Sequence, residues 1–251
     1  MCGLLAYKKM WTPFSKVQQC KGNLSQIAKS FSLYTAENEG RLPYAYFRFS
    51  NQRHSTWDGL LEPYFPRNLP AAGSPPTLGV LRCPSDTLEV AGWAVGAKLY
   101  RRSYSMAEHD MQKANWPVGA KSATGVGLWW NLGAKGELRP DPVVYNYENT
   151  NKQAALKISE VPNPAGVLLL GEQVNANNIA RLSSRSTIAA TASHLDTKAM
   201  PLAAFQGGRF NYLMVDGSVQ LLKPEKSVGP AGSAGKDPKT HQGIWTIKPE
   251  D

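Results

Sequence analysis

The sequence predicts an α+β fold: a long N-terminal amphipathic helix packed on an antiparallel sheet, loop-rich and carrying insertions. Three observations lead there. Val17, Cys20, Leu24, Ile27, Ala28, Phe31 and Tyr34 recur at three- and four-residue steps, the spacing of one helix face. Val167-Leu168-Leu169-Leu170-Gly171-Glu172 is an apolar run of strand length, expected to be buried on both faces. Two β-rich runs flank Asp216-Gly217, a strong hairpin signal because both central residues of a type I′ turn need φ > 0.

Thr12-Pro13 reads as the helix start, with Thr12 as N-cap and Pro13 at the first helical position. Lys16, Gln18, Lys21, Gln26 and Lys29 fall away from the apolar stripe. Gly40 suits the position just past the helix, and Pro43 follows, so the helix is expected over about residues 13–38. Residues 1–13 then form a residual N-terminal segment and residues 14–251 a single domain.

Trp57-Asp58-Gly59-Leu60-Leu61-Glu62-Pro63-Tyr64 reads as a short helix stopped by its proline. A proline-rich loop covers 66–76, and Leu78 to Arg82 reads as a short strand leading into Cys83-Pro84-Ser85-Asp86. Residues 90–150 are expected to be irregular with short strands. Val161-Pro162-Asn163-Pro164 is a turn ahead of the 167–172 strand, and the polar 175–200 stretch reads as a surface loop or insertion. In the 210–222 hairpin, Phe210, Tyr212 and Met214 would face one side, Asn211, Leu213 and Val215 the other. Residues 227–240 read as a Gly/Pro/Lys-rich loop and 243–247 as a last strand. There is no internal repeat.

The net charge is +9, but the basic residues are scattered. The densest spots are Lys8-Lys9 and Arg101-Arg102, so the excess reads as a solvated surface and nucleic acid is not expected as a partner. No apolar run approaches the roughly 20 residues of a membrane span, and no secretory signal is visible.

The three cysteines stand at 2, 20 and 83 with no Cys-x-x-Cys pair, which argues against a zinc site. Cys2 sits at a terminus, leaving Cys20–Cys83 as the best disulfide pairing; three reduced, half-buried thiols are the alternative.

The four histidines (54, 109, 194 and 241) lack a zinc-like spacing. His109-Asp110 and His194-Leu195-Asp196 resemble acid/base fragments, but no nucleophile elbow or phosphate-binding glycine loop accompanies them. The expectation is therefore a non-enzymatic protein without a cofactor; a hydrolase working through His109 or His194 is a remote third reading. Exposed aromatic residues stack on sugar rings, and the adjoining Trp129 and Trp130 are the candidates for glycan binding, against a default of core packing.

Cys20-Lys21-Gly22-Asn23-Leu24-Ser25-Gln26-Ile27, Tyr34 and Gly40-Arg41-Leu42-Pro43 resemble the segment after the membrane-spanning half of the first helix in a bacterial pilin-like group. That group is the prepilin-type cleavage/methylation proteins, akin to the major pseudopilin of type II secretion, general secretion pathway protein G. Its Trp-x-x-Leu-Leu-x-Pro-Tyr matches Trp57 to Tyr64, and its Cys-Pro-Ser-Asp matches Cys83 to Asp86. Ser-Tyr-x-Met matches Ser103 to Met106, Leu-Gly-Glu matches Leu170 to Glu172, and the trailing Trp-Thr matches Trp245-Thr246. Its C-terminal signature is a histidine, nine residues, then Asp-Gly. Asp216-Gly217 match, and Gln206 stands where the group has histidine. The similarity runs in order from about residue 14 to the end; each piece is weak, but the set is specific. The group also opens with a leader, a glutamate and about 20 apolar residues, and none of these stands in this chain.

The resemblance implies a pilin-like fold and a structural subunit of an extracytoplasmic filament or secretion system. It would be anchored in the inner membrane or built into the filament in its full-length form, with this chain itself soluble. Its partners would be other pilin-like subunits through the N-terminal helix, the assembly machinery, and secreted cargo or a polysaccharide. The alternative is an adhesin-type module binding a polysaccharide or surface on the same scaffold. Major pseudopilins bind calcium, so Asp86, Glu172 and Asp216 are weak candidates for Ca²⁺. Their plainer roles are an Asx turn for Asp86, hydrogen bonding at a strand end for Glu172, and the hairpin turn for Asp216 with Gly217.

Overall fold

Helix α1 covers Gly3–Glu37 and passes straight through Thr12-Pro13. The expected N-cap is therefore an interior position. An interior proline removes one backbone hydrogen bond and crowds the carbonyl four residues back, a cost of about 3 kcal/mol that a 35-residue helix can carry. The structure, a computed structural model, describes residues 3–48, 54–66, 79–108, 125–127, 129–131, 155–173, 175–182, 185–188, 206–227, 243–245 and 247; for 3–15, 47–48 and 129–131 it describes the backbone alone.

The helix ends at Glu37. Asn38 donates its side-chain amide to the Tyr34 carbonyl (2.7 Å), and the Gly40 amide reaches back to the Thr35 carbonyl (2.8 Å). Gly40 has φ +77°, a left-handed conformation that glycine adopts freely and that closes the last turn.

Strands β1 (Tyr46–Arg48) and β2 (His54–Thr56) form a small antiparallel pair that leads into α2 (Trp57–Leu61). A 3-10 turn follows over Glu62–Tyr64, with Pro63 inside it. Of the expected strand from Leu78 to Arg82, Leu78 lies outside the described residues and 79–82 are not a strand. Gly79–Leu81 forms another 3-10 turn, which buries Val80 and Leu81. Helix α3 is the single turn Gly92–Val95. Next come β3 (Tyr104–Ala107), β4 (Trp129–Asn131), β5 (Leu168–Glu172), β6 (Thr187–Ile188), β7 (Phe210–Met214), β8 (Val219–Leu222) and α4 (Pro224–Ser227). Strand β4 joins β1 in parallel to make a three-stranded sheet.

The main sheet has the order β6-β3-β5-β7-β8. It is mixed, which corrects the expectation of an antiparallel sheet. The cause lies within the 175–200 stretch: of its described residues, 187–188 lay β6 parallel along β3, pairing Met106 with Thr187 and Ala107 with Ile188, while 183–184 and 189–200 lie outside the described residues. The other pairings, β3–β5, β5–β7 and β7–β8, are antiparallel.

The expected long helix laid across a sheet is also corrected. Cys20, Leu24, Ile27, Ala28 and Phe31 are buried, but they are shared among the 3-10 turns at 62–64 and 79–81, α2 and the β7–β8 hairpin. The stripe reaches its apolar partners mostly in short turns, because Trp57, Leu61, Val80 and Leu81 occupy the space beneath it. Full burial of side chains such as Leu24 and Ile27 contributes roughly 1.5–3 kcal/mol each.

All five residues of β5 are buried, as its continuous apolar run predicts for a strand flanked by β3 and β7. Strand β7 is buried along its whole length as well. The 216–217 turn differs from the expected type I′. Gly217 has φ +89° while Asp216 is not left-handed. The Gly217 amide donates to the Met214 carbonyl (2.9 Å) and the Met214 amide to the Ser218 carbonyl (2.8 Å). That is a three-residue connection of a type I turn followed by a G1 bulge, which needs one left-handed residue rather than two. Residues 243–245 form a turn rather than a strand, with the Leu168 amide bonded to the Ile244 carbonyl and Trp245 fully buried.

Candidate functional site

The polar residues of the sequence motifs converge on three buried clusters around β3 and β5. The strand pairing brings them there: Tyr104 lies opposite Glu172, Ser105 opposite Gly171 and Met106 opposite Leu170.

The first cluster joins α2 to the 178–182 turn. Asp58 and Arg102 form an ion pair with both side chains fully buried. The Asp58 carboxylate also accepts from the Thr56 hydroxyl (2.6 Å) and the Arg181 amide (2.7 Å). Arg102 donates to Asn178 Oδ1 (2.7 Å) and the Leu182 carbonyl (3.1 Å), and its guanidinium lies 5.7 Å from the Trp57 ring centre. Each charge is thus neutralised and most of its hydrogen-bonding capacity is used, which is the condition for an ion pair to survive in an apolar interior.

In the second cluster Arg101 is paired with Asp86, again with both side chains buried. Asp86 accepts from the Ser103 hydroxyl (2.6 Å) and closes an Asx turn with the Leu88 amide (3.1 Å). Arg101 donates to the carbonyls of Asn175 (2.8 Å) and Leu88 (3.1 Å). The Ser103 hydroxyl also accepts from the Cys83 amide (3.0 Å), which fixes the start of Cys-Pro-Ser-Asp against β3.

The third cluster surrounds Glu172, which is fully buried. Its carboxylate accepts from the Asn211 amide (2.6 Å), Asn211 Nδ2 (3.1 Å) and Gln206 Nε2 (3.0 Å). Gln206 Nε2 also lies 3.5 Å from Cys83 Sγ, and Cys83 is disulfide-bonded to Cys20. Among the described residues no lysine or arginine is paired with Glu172. Burial pushes its carboxyl up to about 7, against the opposing pull of the Asn211 and Gln206 hydrogen bonds. Cys20, Cys83 and Glu172 hold their potential ligand atoms within 4.8 Å of one another.

The three calcium candidates do not come together. Asp86 is held by Arg101 and Glu172 by amides, while Asp216 is exposed in the hairpin turn, accepting from the Ser218 amide (2.8 Å) and hydroxyl (2.7 Å). Trp129 and Trp130 lie on β4, and their side chains fall outside the described residues. Of the histidines, His54 is exposed on β2, whereas His109, His194 and His241 lie outside the described residues. Sequence reasoning missed Asp58, Arg101, Arg102, Asn178, Gln206 and Asn211. It took Arg101-Arg102 for solvated charge. The available signal was two aspartates, each inside a motif, matched by two arginines directly ahead of an apolar strand.

The surface has its own features. Lys16, Gln18, Gln19, Ser25, Lys29, Ser32 and Leu33 are exposed along α1. Trp93 and Val95 are exposed on α3, and the Trp93 indole nitrogen donates to Asn177 Oδ1 (2.7 Å). No helix among the described residues is long and apolar enough to cross a membrane.

Comparison with family models gives no match, and neither do comparisons with curated proteins and with solved structures.

Proposed function

We propose that this chain is a non-enzymatic structural subunit of an extracytoplasmic filament or secretion assembly, joined to other pilin-like subunits through its N-terminal helix. The ordered set of motifs from Cys20 to Trp245 supports this reading, and one structural observation carries it. Helix α1 is 35 residues long, about 52 Å, and among its described side chains, from Lys16 on, the buried ones begin at Cys20. Just upstream, Lys16, Gln18 and Gln19 are exposed and Val17 is half-buried. The body grips the helix from Cys20 to Phe31, and the motif side chains spend their polar atoms on one another. That supports a helix held by its C-terminal part, with the exposed Lys16, Gln18 and Leu33 as the described positions where a neighbouring subunit would meet it.

The test is self-association. A photo-crosslinking residue is placed at Val17 or Leu33 in the full chain, with the exposed Lys226 on α4 as control. Copy-to-copy adducts at the helix positions and not at the control are expected. A monomer at every concentration in sedimentation velocity, with no adduct at either helix position, would overturn the reading.

A second reading, a polysaccharide-binding module, is favoured by Trp93. Its ring is exposed, and its bond to Asn177 fixes the indole edge, which leaves a preorganised aromatic face of the kind sugars stack on. A polymer pull-down in which Trp93→Ala loses binding supports it, and equal retention by both proteins counts against it.

A further inference from the structure

We propose that reduction of the Cys20–Cys83 disulfide opens a buried site for a zinc-class divalent ion, with the two thiolates and the Glu172 carboxylate as ligands and Gln206 at the fourth position.

The geometry is close to what such an ion needs. The ligand atoms of Cys20, Cys83 and Glu172 already lie within 4.8 Å of one another. Tetrahedral coordination with Zn–S near 2.3 Å places ligand atoms about 3.5–3.8 Å apart. Reduction lets the two sulfurs separate from bonding distance toward that spacing, and Glu172 has only to draw inward. The Gln206 amide touches two of the other three ligands, Cys83 Sγ at 3.5 Å and Glu172 Oε1 at 3.0 Å. A half-turn of that amide presents its oxygen to the ion.

The surroundings supply what bare ligands lack. Two Asn211 donors, its backbone amide and Nδ2, orient the carboxylate from behind, as outer partners orient metal-bound carboxylates. Glu172 is a buried acid without a paired cation among the described residues, and a divalent ion would compensate its charge. Two thiolates with an oxygen ligand suit zinc or cobalt over calcium or magnesium.

The chemistry balances with a dithiol as the reductant. The dithiol transfers two electrons and two protons to the Cys20–Cys83 bond and becomes a disulfide. Metal binding then releases the two thiol protons, together with the Glu172 proton wherever that carboxyl is protonated. An incoming disulfide oxidant reverses the sequence: it accepts the two electrons, the Cys20–Cys83 bond re-forms and the ion leaves. Oxidised chain and metal-bound chain are thus exclusive states of one site.

The experiment uses the full chain carrying Cys2→Ser, which removes the third thiol. The protein is reduced with a dithiol, desalted without oxygen and titrated with Co²⁺. The expected result is one equivalent bound, with thiolate-to-cobalt charge-transfer absorption and tetrahedral d–d bands, and no such absorption in the oxidised chain. Glu172→Gln should weaken binding at least tenfold while keeping the charge-transfer band, and Cys20→Ser should abolish tight binding. A reduced chain that keeps its near-ultraviolet circular dichroism but shows no charge-transfer band overturns the proposal. So does equal affinity in Glu172→Gln, and so does a reduced chain that unfolds and is not refolded by Zn²⁺.

Discussion

The side-chain nitrogen of Gln206 donates to the Glu172 carboxylate at 3.0 Å, joining the turn ahead of β7 to the glutamate that ends β5. Gln206 sits at φ +48°, held in the left-handed region by the turn that delivers it to the core.

Glu172 makes stability depend on pH in an unusual direction. Its carboxyl is raised from an ordinary 4.5 to about 7 by burial, so between those values the native state binds the proton and the unfolded chain does not. Stability therefore falls as pH rises from about 4.5 to 7, by about 3 kcal/mol in total, and levels off above. Urea denaturation across that range checks it, and Glu172→Gln is expected to remove this slope.

Gln206→His should shift that window. An imidazolium beside the carboxylate favours its charged form and draws the Glu172 value downward. Histidine also tolerates the left-handed backbone better than most residues. The same urea series is expected to show a weaker loss of stability toward neutral pH than in the parent chain.

The Asp58–Arg102 pair should couple strongly. Arg102→Met or Asp58→Leu alone leaves an uncompensated charge in a fully buried place and should cost about 3–5 kcal/mol. The double variant should cost less than the two single costs added together, because no lone charge remains. Denaturation of all four proteins gives the coupling directly; strict additivity would refute the network.

Gly217→Ala is expected to destabilise by about 1–2 kcal/mol. Its φ of +89° strains any L side chain, although the added Cβ would meet the Ala28 methyl at an ordinary 3.6 Å. Gly217→Asn should cost less than alanine, because asparagine visits the left-handed region more readily. Thermal unfolding of the two variants separates backbone strain from crowding.

Breaking the disulfide with Cys83→Ser should lower stability by roughly 4 kcal/mol, the loop entropy of a cross-link between residues 63 apart. Comparing urea midpoints for parent and variant, both without added metal, measures it.

The elements with strong local patterns were legible. The stripe from Cys20 to Phe31, the short helix at Trp57, the β5 run and the hairpin at Asp216-Gly217 all announced themselves through periodicity or turn chemistry. Sheet direction was not, because β6 is only two residues, Thr187-Ile188, whose pairing depends on the tertiary position of β3. The turn type was missed for a related reason: Asp-Gly serves a type I turn with a bulge as well as it serves type I′. The candidate site was half legible. Glu172 and the cysteines stood out by type, whereas Arg101, Arg102 and Asn178 look like ordinary surface residues until the fold buries them together.

The bond from Cys20 to Cys83 has a mechanical meaning for a rod gripped along part of its length. Tension pulling the rod axially out of the body would otherwise be resisted by greasy contacts and by single hydrogen bonds such as Asn23 to the Arg82 carbonyl and Ser30 to the Tyr64 carbonyl. With the bond in place the pull passes through a covalent tether into the Cys83 turn and, by way of Ser103, into the middle of the sheet. The body can then be tugged, bent or sheared without sliding off its own axle.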